Sequence, residues 1–382
     1  MSRLTSKVSG YRASSAAGFL LVHLAALGVF FIGFSWTGVA VCLGSYYLRM
    51  FAITAGFHRY FSHRTFRLDR VSQFLLALVG QTSAQKGVLW WASNHRHHHR
   101  FSDLPEDIHS PIQKGFWWSH VGWILVPDYQ KTDLTRVPDL AKYPELVWLD
   151  RHQYLPTLLY AVGCYAAFGW VGLFYGYFLA TVLLWHGTFS INSVMHLFGR
   201  RVFPTTDWSR NSFLFAVLTT GEGWHNNHHY FPGSAAQGFR WWQVDASFYA
   251  LWLLEKIGLV RDLHRAPAHL RRKDAARRAN PAAAGEPWND RVRGLTERWV
   301  ERRDAAWATA RHAVEDLEAA RVHGVERLER LHAEAVELTA RAGVVAGKRV
   351  EELHAEMETC RAHLAEVLER LVAAAEAVPI AV

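Results

Sequence analysis

Two long stretches of the chain carry no charge. There is no Asp, Glu, Lys or Arg between Arg12 and Arg49, and none between Arg151 and Arg200. A helix crossing hydrocarbon takes about 20 residues. The first stretch therefore predicts one span over about 15–34 and most of a second over about 37–57, broken at Ser35-Trp36-Thr37-Gly38. The second predicts two more spans, with a turn at Phe168-Gly169-Trp170. Apolar runs of this length are hard to bury in a water-soluble fold. Segment 71–93 is also apolar, but Gly80, Gly87 and the polar set Gln81, Thr82, Ser83, Gln85 and Lys86 interrupt it. It is expected as a helix lying at the membrane surface, because a further span would carry residues 95–99 to the opposite side from His58.

The basic residues orient these spans. Arg3, Lys7 and Arg12 precede the first; Arg59, Arg64, Arg67 and Arg70 follow the second; Arg200, Arg201 and Arg210 follow the fourth. Both short outer turns lack Lys and Arg. The positive-inside bias then places both termini and the middle loop in the cytosol, in a multi-pass integral membrane protein. The first apolar run is too long for a cleavable signal and leads into a second span. The excess positive charge serves orientation, and no nucleic-acid partner is expected.

Composition changes sharply near residue 265. Residues 266–382 hold 39 of the 76 charged side chains, while 14 of the 17 Trp lie before them. Three regions are expected: a membrane-embedded domain over 1–265, an Arg/Ala/Pro-rich linker over 266–290, and a helical, coiled-coil-like tail over 291–382. Val350, Leu353, Met357, Cys360, Leu364, Val367 and Leu371 fall on a heptad seam, and Leu328, Leu331, Ala335 and Leu338 on a second, offset one. One long kinked helix and a helical hairpin both fit. The seam offers a surface for self-association or for docking an electron donor. The three cysteines, Cys42, Cys164 and Cys360, have no metal-binding spacing.

Histidine carries the chemistry, with 16 of the 22 before residue 266. Three clusters stand out: His58-Arg59-Tyr60-Phe61-Ser62-His63, His95-Arg96-His97-His98-His99, and Gly221-Glu222-Gly223-Trp224-His225-Asn226-Asn227-His228-His229. His196 stands alone in Asn192-Ser193-Val194-Met195-His196. His95, His98 and His99 are spaced i, i+3, i+4, as are His225, His228 and His229, so each triplet is expected to point three imidazoles at one location. Neutral imidazole ligates iron, zinc, copper and nickel. Nine convergent rings exceed the ligands of one ion, so two ions are implied. His97 points off this face. His23, His109, His120, His152 and His186 are expected to pack or hydrogen-bond.

With these motifs in view, the sequence resembles the membrane fatty acyl desaturases, in particular the acyl-CoA Δ9 (stearoyl-CoA) desaturase family. The family pattern appears as His58–Arg64, His95–Asp103, Asn192–His196 and Gly221–Pro232, and the resemblance covers about 15–260. It implies an all-α membrane protein with four transmembrane helices under a cytosolic di-metal cap. It also implies a non-haem di-iron centre held by His58, His63, His95, His98, His99, His196, His225, His228 and His229, with Asn192 holding a metal-bound water. The implied reaction uses O₂ and an external electron donor to place a cis double bond, at Δ9, in a saturated acyl thioester of CoA. Gln85, Trp91 and Thr188 match positions near the bend of the acyl tunnel. Second-sphere carboxylates orient metal-bound imidazoles, and Asp103, Glu106, Asp107 and Glu222 are the candidates.

One departure bears on the substrate. Where the animal enzymes have a basic pair that holds the CoA phosphates, Pro127 and Asp128 follow Val126 here. A phospholipid or an acyl carrier protein then competes with CoA as the carrier. The sequence carries neither a haem motif of the cytochrome b5 type nor a cysteine cluster, so a separate reductase chain is expected. Two alternatives share the scaffold: a fatty acyl hydroxylase or other di-iron oxygenase, and a non-catalytic membrane metal-binding protein.

Overall fold

The structure, a computed structural model, describes residues 13–272, 319–334, 336–337 and 346–377. Secondary structure among them is helical, with isolated bridges such as Arg67–Arg261 but no named strand. The chain divides between Ala284 and Gly285 into two compact units.

Among the described residues of the first unit, two helices are long and apolar enough to cross a membrane, Trp36–Ser62 and Leu155–Leu197. Trp36–Ser62 begins where the Ser35 hydroxyl accepts from the Gly38 N–H at 3.2 Å. It then passes without a break into a π-helical segment, Ala52–Ser62, and so runs past the expected end at 57. Leu155–Leu197 doubles back at Gly169, whose φ of 58° and ψ of −142° only glycine adopts readily. A Cβ on Gly172 would lie 1.9 Å from the Cys164 carbonyl oxygen, so the two limbs pack against each other. The turn expected at 168–170 is therefore present.

Two expectations change. The apolar stretch over 15–34 is not one helix: Ala13–Ala26 and Val29–Ile32 are separated at Leu27-Gly28, where the Phe174 ring approaches so closely that a Cβ on Gly28 would lie 2.1 Å from it. Segment 71–93 is not one helix either. Arg70–Gln81 and Val88–Phe101 are separated by a hinge in which Ala84 and Lys86 have positive φ, as the interrupting polar residues require.

The outward faces of these helices are apolar: Phe31 is 91% and Trp36 78% exposed, which suits a hydrocarbon surround better than water. Polar groups inside the bundle are tied to one another. Arg49, fully buried, donates to Thr181 Oγ1 at 2.7 Å, to Ser45 O at 3.2 Å, and to Thr82 O and Gly176 O at 3.4 Å. Thr82 ends the Arg70–Gln81 helix and Gly176 lies in the π-helical turn Gly172–Leu179. Arg49 thus links three helical segments through their carbonyls, with Thr157 Oγ1 also donating to Thr82 O and Ser45 Oγ to Gly176 O. Ala266 and Leu270 pack with Phe203 and Phe239, so ordered packing continues past residue 265.

In the second unit, residues 319–334 are helical and lie antiparallel to the helix Ala346–Ala377. Leu331 packs on Leu353 and Met357, and Cys360 Sγ lies 3.5 Å from the Gly324 carbonyl oxygen. Of the heptad seam, Leu353, Cys360 and Val367 are thus buried within one chain, the two helices forming a hairpin. Ala335 and Leu338 lie outside the described residues.

Candidate metal centre

His58 and His63 are five residues apart, a spacing that puts two side chains on different faces of an α-helix. The π-helical turn removes the mismatch: His63 N–H donates to His58 O at 3.2 Å, an i to i+5 bond, and the ring centroids come within 5.0 Å. The helix Val88–Phe101 carries His95, His98 and His99. Its N-terminus is capped from a distance, since Leu89 N–H and Trp90 N–H both donate to Asp150 Oδ1 at 2.9 Å. His196 ends Ala180–Leu197, and the short helix His225–Tyr230 supplies the rest. Arg64, Asp103 and Thr220 hold positive φ beside these residues, backbone strain of the kind concentrated at functional sites.

The nine histidines meet in two groups. Ring nitrogens of His58, His63, His95, His99 and His228 lie within 4.8 Å of one another, and so do those of His98, His196, His225 and His229. Each sequence triplet is therefore split. The i and i+4 members share one group, and the i+3 member, His98 or His228, crosses to the other. This corrects the expectation that each triplet serves one location.

The inner nitrogens fit metal ions. Nε2 atoms approach pairwise at 2.9 Å (His58–His228, His63–His95, His99–His228) and 3.0 Å (His196–His225). Two imidazoles bound at about 2.1 Å and at right angles would stand about 3.0 Å apart. The buried His229 Nε2 has no hydrogen-bond partner, a costly arrangement unless a cation sits there. Burial first, and neighbouring imidazoles second, hold His63, His95, His99, His225 and His228 well below the usual histidine range. They are thus kept in the neutral form that ligates.

The outer nitrogens face carboxylates. His98 Nδ1 donates to Asp107 at 3.0 Å, His196 Nδ1 to Asp103 at 2.8 Å and His229 Nδ1 to Asp207 at 2.6 Å, and His58 Nδ1 pairs with Glu222. Burial opposes ionisation of Asp107 and Asp207. The adjoining imidazoles outweigh it and hold both carboxyls well below the usual range. Glu222 is itself held by Arg59, which also donates to Asp245 at 2.9 Å. Of the four candidate carboxylates, Asp103, Asp107 and Glu222 are in place. Glu106 is not: its side chain is exposed and only its carbonyl oxygen is engaged, by His97 Nε2 at 2.9 Å. His97 itself joins neither group.

Asp207 was missed. It sits in a non-helical loop with no periodic signal, although it is the only acidic residue between Asp150 and Glu222. Trp91 stacks on His95 with centroids 4.8 Å apart, and Gln85 Nε2 donates to Thr188 Oγ1 at 2.9 Å. Asn192 is half-buried, one turn before His196.

A helical framework with apolar outer faces encloses two adjoining histidine groups backed by carboxylates, a donor set suited to a pair of metal ions. Sequence comparison gives the family: a fatty acid desaturase profile matches residues 13–261, and the chain belongs to the fatty acid desaturase family. Similar proteins include an sn-2 palmitoyl-lipid 9-desaturase of Nostoc sp. (39% identity, 61% of this chain and 84% of the relative) and an acyl-CoA C20 Delta5-desaturase of Anemone leveillei (39%; 60% and 75%). A hex-5-enoyl-[acyl-carrier protein] acetylenase of Moorena producens is 37% identical over 59% of this chain and 76% of that protein. The chain is thus a membrane fatty acyl desaturase, an oxidoreductase.

Proposed function

We propose that the protein is a four-span membrane enzyme with both termini and the metal cap in the cytosol. In this reading it introduces a cis double bond at Δ9 into a saturated acyl chain. Residues 1–265 form the enzyme, 266–290 a linker whose first residues, Ala266 and Leu270, still pack on it, and 291–382 a helical tail that serves docking or self-association. The observation that carries this reading is the pair of buried imidazole groups, five and four rings, in a member of this family.

Two iron ions fit these groups, one held by His58, His63, His95, His99 and His228, the other by His98, His196, His225 and His229. With O₂ and electrons from a separate carrier, the irons supply an oxidising power that side chains lack. Asp103, Asp107, Asp207 and Glu222 fix the tautomer and orientation of the rings they touch. Asn192, on the face of His196, holds a water at the four-histidine site. Trp91, lying against the first group, and the Gln85–Thr188 pair shape the bend of the acyl path.

CoA is the carrier that the motif resemblance supports. A glycerolipid carrier is the second reading, and one observation favours it: the polar cavity of about 370 Å³ beside Pro127-Asp128 is lined by Glu106, Asp128 and Asp133 against Lys131 and Arg136, a poor receptor for several phosphates. Stearoyl-CoA and a labelled stearoyl glycerolipid supplied in parallel to membranes containing the protein test both. Product analysis distinguishes double bonds and their position from hydroxyls, triple bonds or no change. A hydroxyl product, or none from either carrier, would overturn the reading.

A further inference from the structure

Among the described residues, two aromatic paths lead off the nine rings of the metal centre. One starts at Trp91, which stacks on His95 and meets Phe57 at 6.0 Å between centroids and, through it, Phe61 at 6.4 Å. Phenylalanine does not give up an electron at potentials where indole and phenol do, so this path ends at Trp91. The other starts at His98. His109 lies against it with centroids 4.3 Å apart, and Trp123 lies 5.0 Å beyond His109. Trp90 stacks on Trp123 at 5.5 Å with the ring planes 8° apart, and Tyr129 stands 6.4 Å from Trp123. Tyr129 is half-buried and lines the polar cavity of about 370 Å³ beside Pro127-Asp128, so the second path runs from the metal centre to solvent.

Hydrogen bonds hold its members in place. His109 N–H donates at 3.2 Å to Asp107, the carboxylate that also accepts from His98, so one side chain fixes the position of both residues. Trp90 Nε1 donates to the Tyr129 carbonyl oxygen at 2.7 Å. Trp123 differs. Its ring is buried and its Nε1 has no hydrogen-bond partner among the described residues, although a buried indole N–H usually finds one. An indole that loses an electron becomes an acidic cation. With an acceptor at its N–H it sheds the proton and traps the hole as a neutral radical. Without one, Trp123 stays a cation, the stronger oxidant, and passes the hole on. The stacked Trp90 spreads that charge over two rings and eases its formation. Tyr129 is placed to take the hole. Its Oη lies 3.5 Å from Lys114 Nζ, a cation that opposes positive charge on the ring, and the open cavity gives the phenol proton a way to solvent.

We propose that His98, His109, Trp123 and Tyr129 form an electron path that spares the metal centre when O₂ is activated with no acyl chain in place. The inference rests on the reading of the centre as a desaturase. In the productive reaction O₂, two electrons and two protons from outside, and two hydrogens of the acyl chain become two waters. Without an acyl chain, the two missing electrons leave the protein one at a time. For each, an electron passes from the Trp123 indole across His109 to the metal centre, and Trp123 becomes a cation radical. Tyr129 then gives an electron to Trp123 and its phenol proton to solvent, and becomes a neutral phenoxyl radical. The external one-electron carrier and a proton from solvent restore the phenol. With two further protons from solvent, O₂, four electrons and four protons become two waters. The oxidising power reaches the surface instead of the ligand imidazoles. His109 bridges the gap and is not itself oxidised.

The test uses the full-length, iron-loaded protein and the variants Tyr129→Phe and Trp123→Phe, which keep an aromatic ring. Each is reduced, mixed with O₂ without acyl substrate and frozen within the first turnover. Electron paramagnetic resonance reads the radical, ring-deuterated tyrosine identifies it, and peptide mass spectrometry reads oxidised histidine at the nine positions. The expectation is unchanged metal content throughout and a tyrosyl signal in the wild type that deuteration narrows. Tyr129→Phe should replace it with a tryptophan-type signal, Trp123→Phe should abolish it, and histidine oxidation should rise severalfold in both. If Trp123→Phe does not fold, Tyr129→Phe decides alone. No tyrosyl signal in the wild type, the same signal in Tyr129→Phe, or histidine oxidation equal to the wild type in that variant would overturn the path. A wild-type protein that consumes no O₂ overturns the desaturase reading instead. Hydrogen peroxide added to the iron-loaded protein then supplies the oxidant, and the resonance arm still decides on the path.

Discussion

The protein uses the same side chain in two ways that the second ring nitrogen tells apart. In the metal centre, four of the nine rings turn Nδ1 to a buried carboxylate, and the Nε2 atoms converge. Between the apolar helices, His23, His186 and His120 turn their nitrogens to one another and to carbonyl or hydroxyl oxygens, and the rings form a line. A carboxylate behind a ring fixes one tautomer and frees one lone pair for an ion. A ring behind a ring leaves the tautomer open and aims no set of lone pairs at one point. Arg49 follows the second pattern, with helix carbonyls in place of counter-ions.

The largest effect expected from this contrast is at the convergent rings. His98→Ala should reduce double-bond formation to background and lower metal content, while His97→Ala, one residue away, should change neither. Full activity in His98→Ala would break the contrast at its strongest point. Next comes the carboxylate support. Asp207→Asn should lower metal affinity or turnover about 10–100-fold, and Glu106→Gln should leave both as in the wild type; metal titration and product yield measured on both variants decide it. On the membrane side, Arg49→Leu removes the one side chain that ties Thr181 Oγ1 to the carbonyls of Ser45, Thr82 and Gly176 and leaves an apolar group among them. It should cost about 2 kcal/mol or more of stability, seen as a lower Tm, with the metal content per folded chain unchanged. Metal loss at full stability would show that Arg49 belongs to the centre. The smallest effect is expected for a chain ending at Ala284, which should keep its metal and its product yield when reductase is in excess.

The sequence showed the nine rings, because their clusters are dense and two repeat the same spacing. It did not show how they divide, because i+3 and i+4 neighbours sit on either side of one helical stripe, and only the opposing helix decides which way each turns. The pairing of His58 with His63 was hidden by a spacing that makes sense only on a π-helical turn. Asp107 and Glu106 are adjacent in a non-periodic segment, so pattern could not say which one faces inward. The reversal at Gly169 was legible from a single glycine in an uncharged run. The break at Gly28 was not, since it answers to Phe174, a residue far along the chain.

The crossing of His98 and His228 between the two groups has a thermodynamic consequence. Each of the two triplet-bearing helices contributes to both sites, so filling one site fixes the axial position and rotation of both helices, and with them the ligands of the other. The first ion bears the ordering entropy and the second binds a scaffold already set. Metal uptake by the apoprotein should therefore be sigmoidal, and chains holding a single ion should be scarce at half-loading.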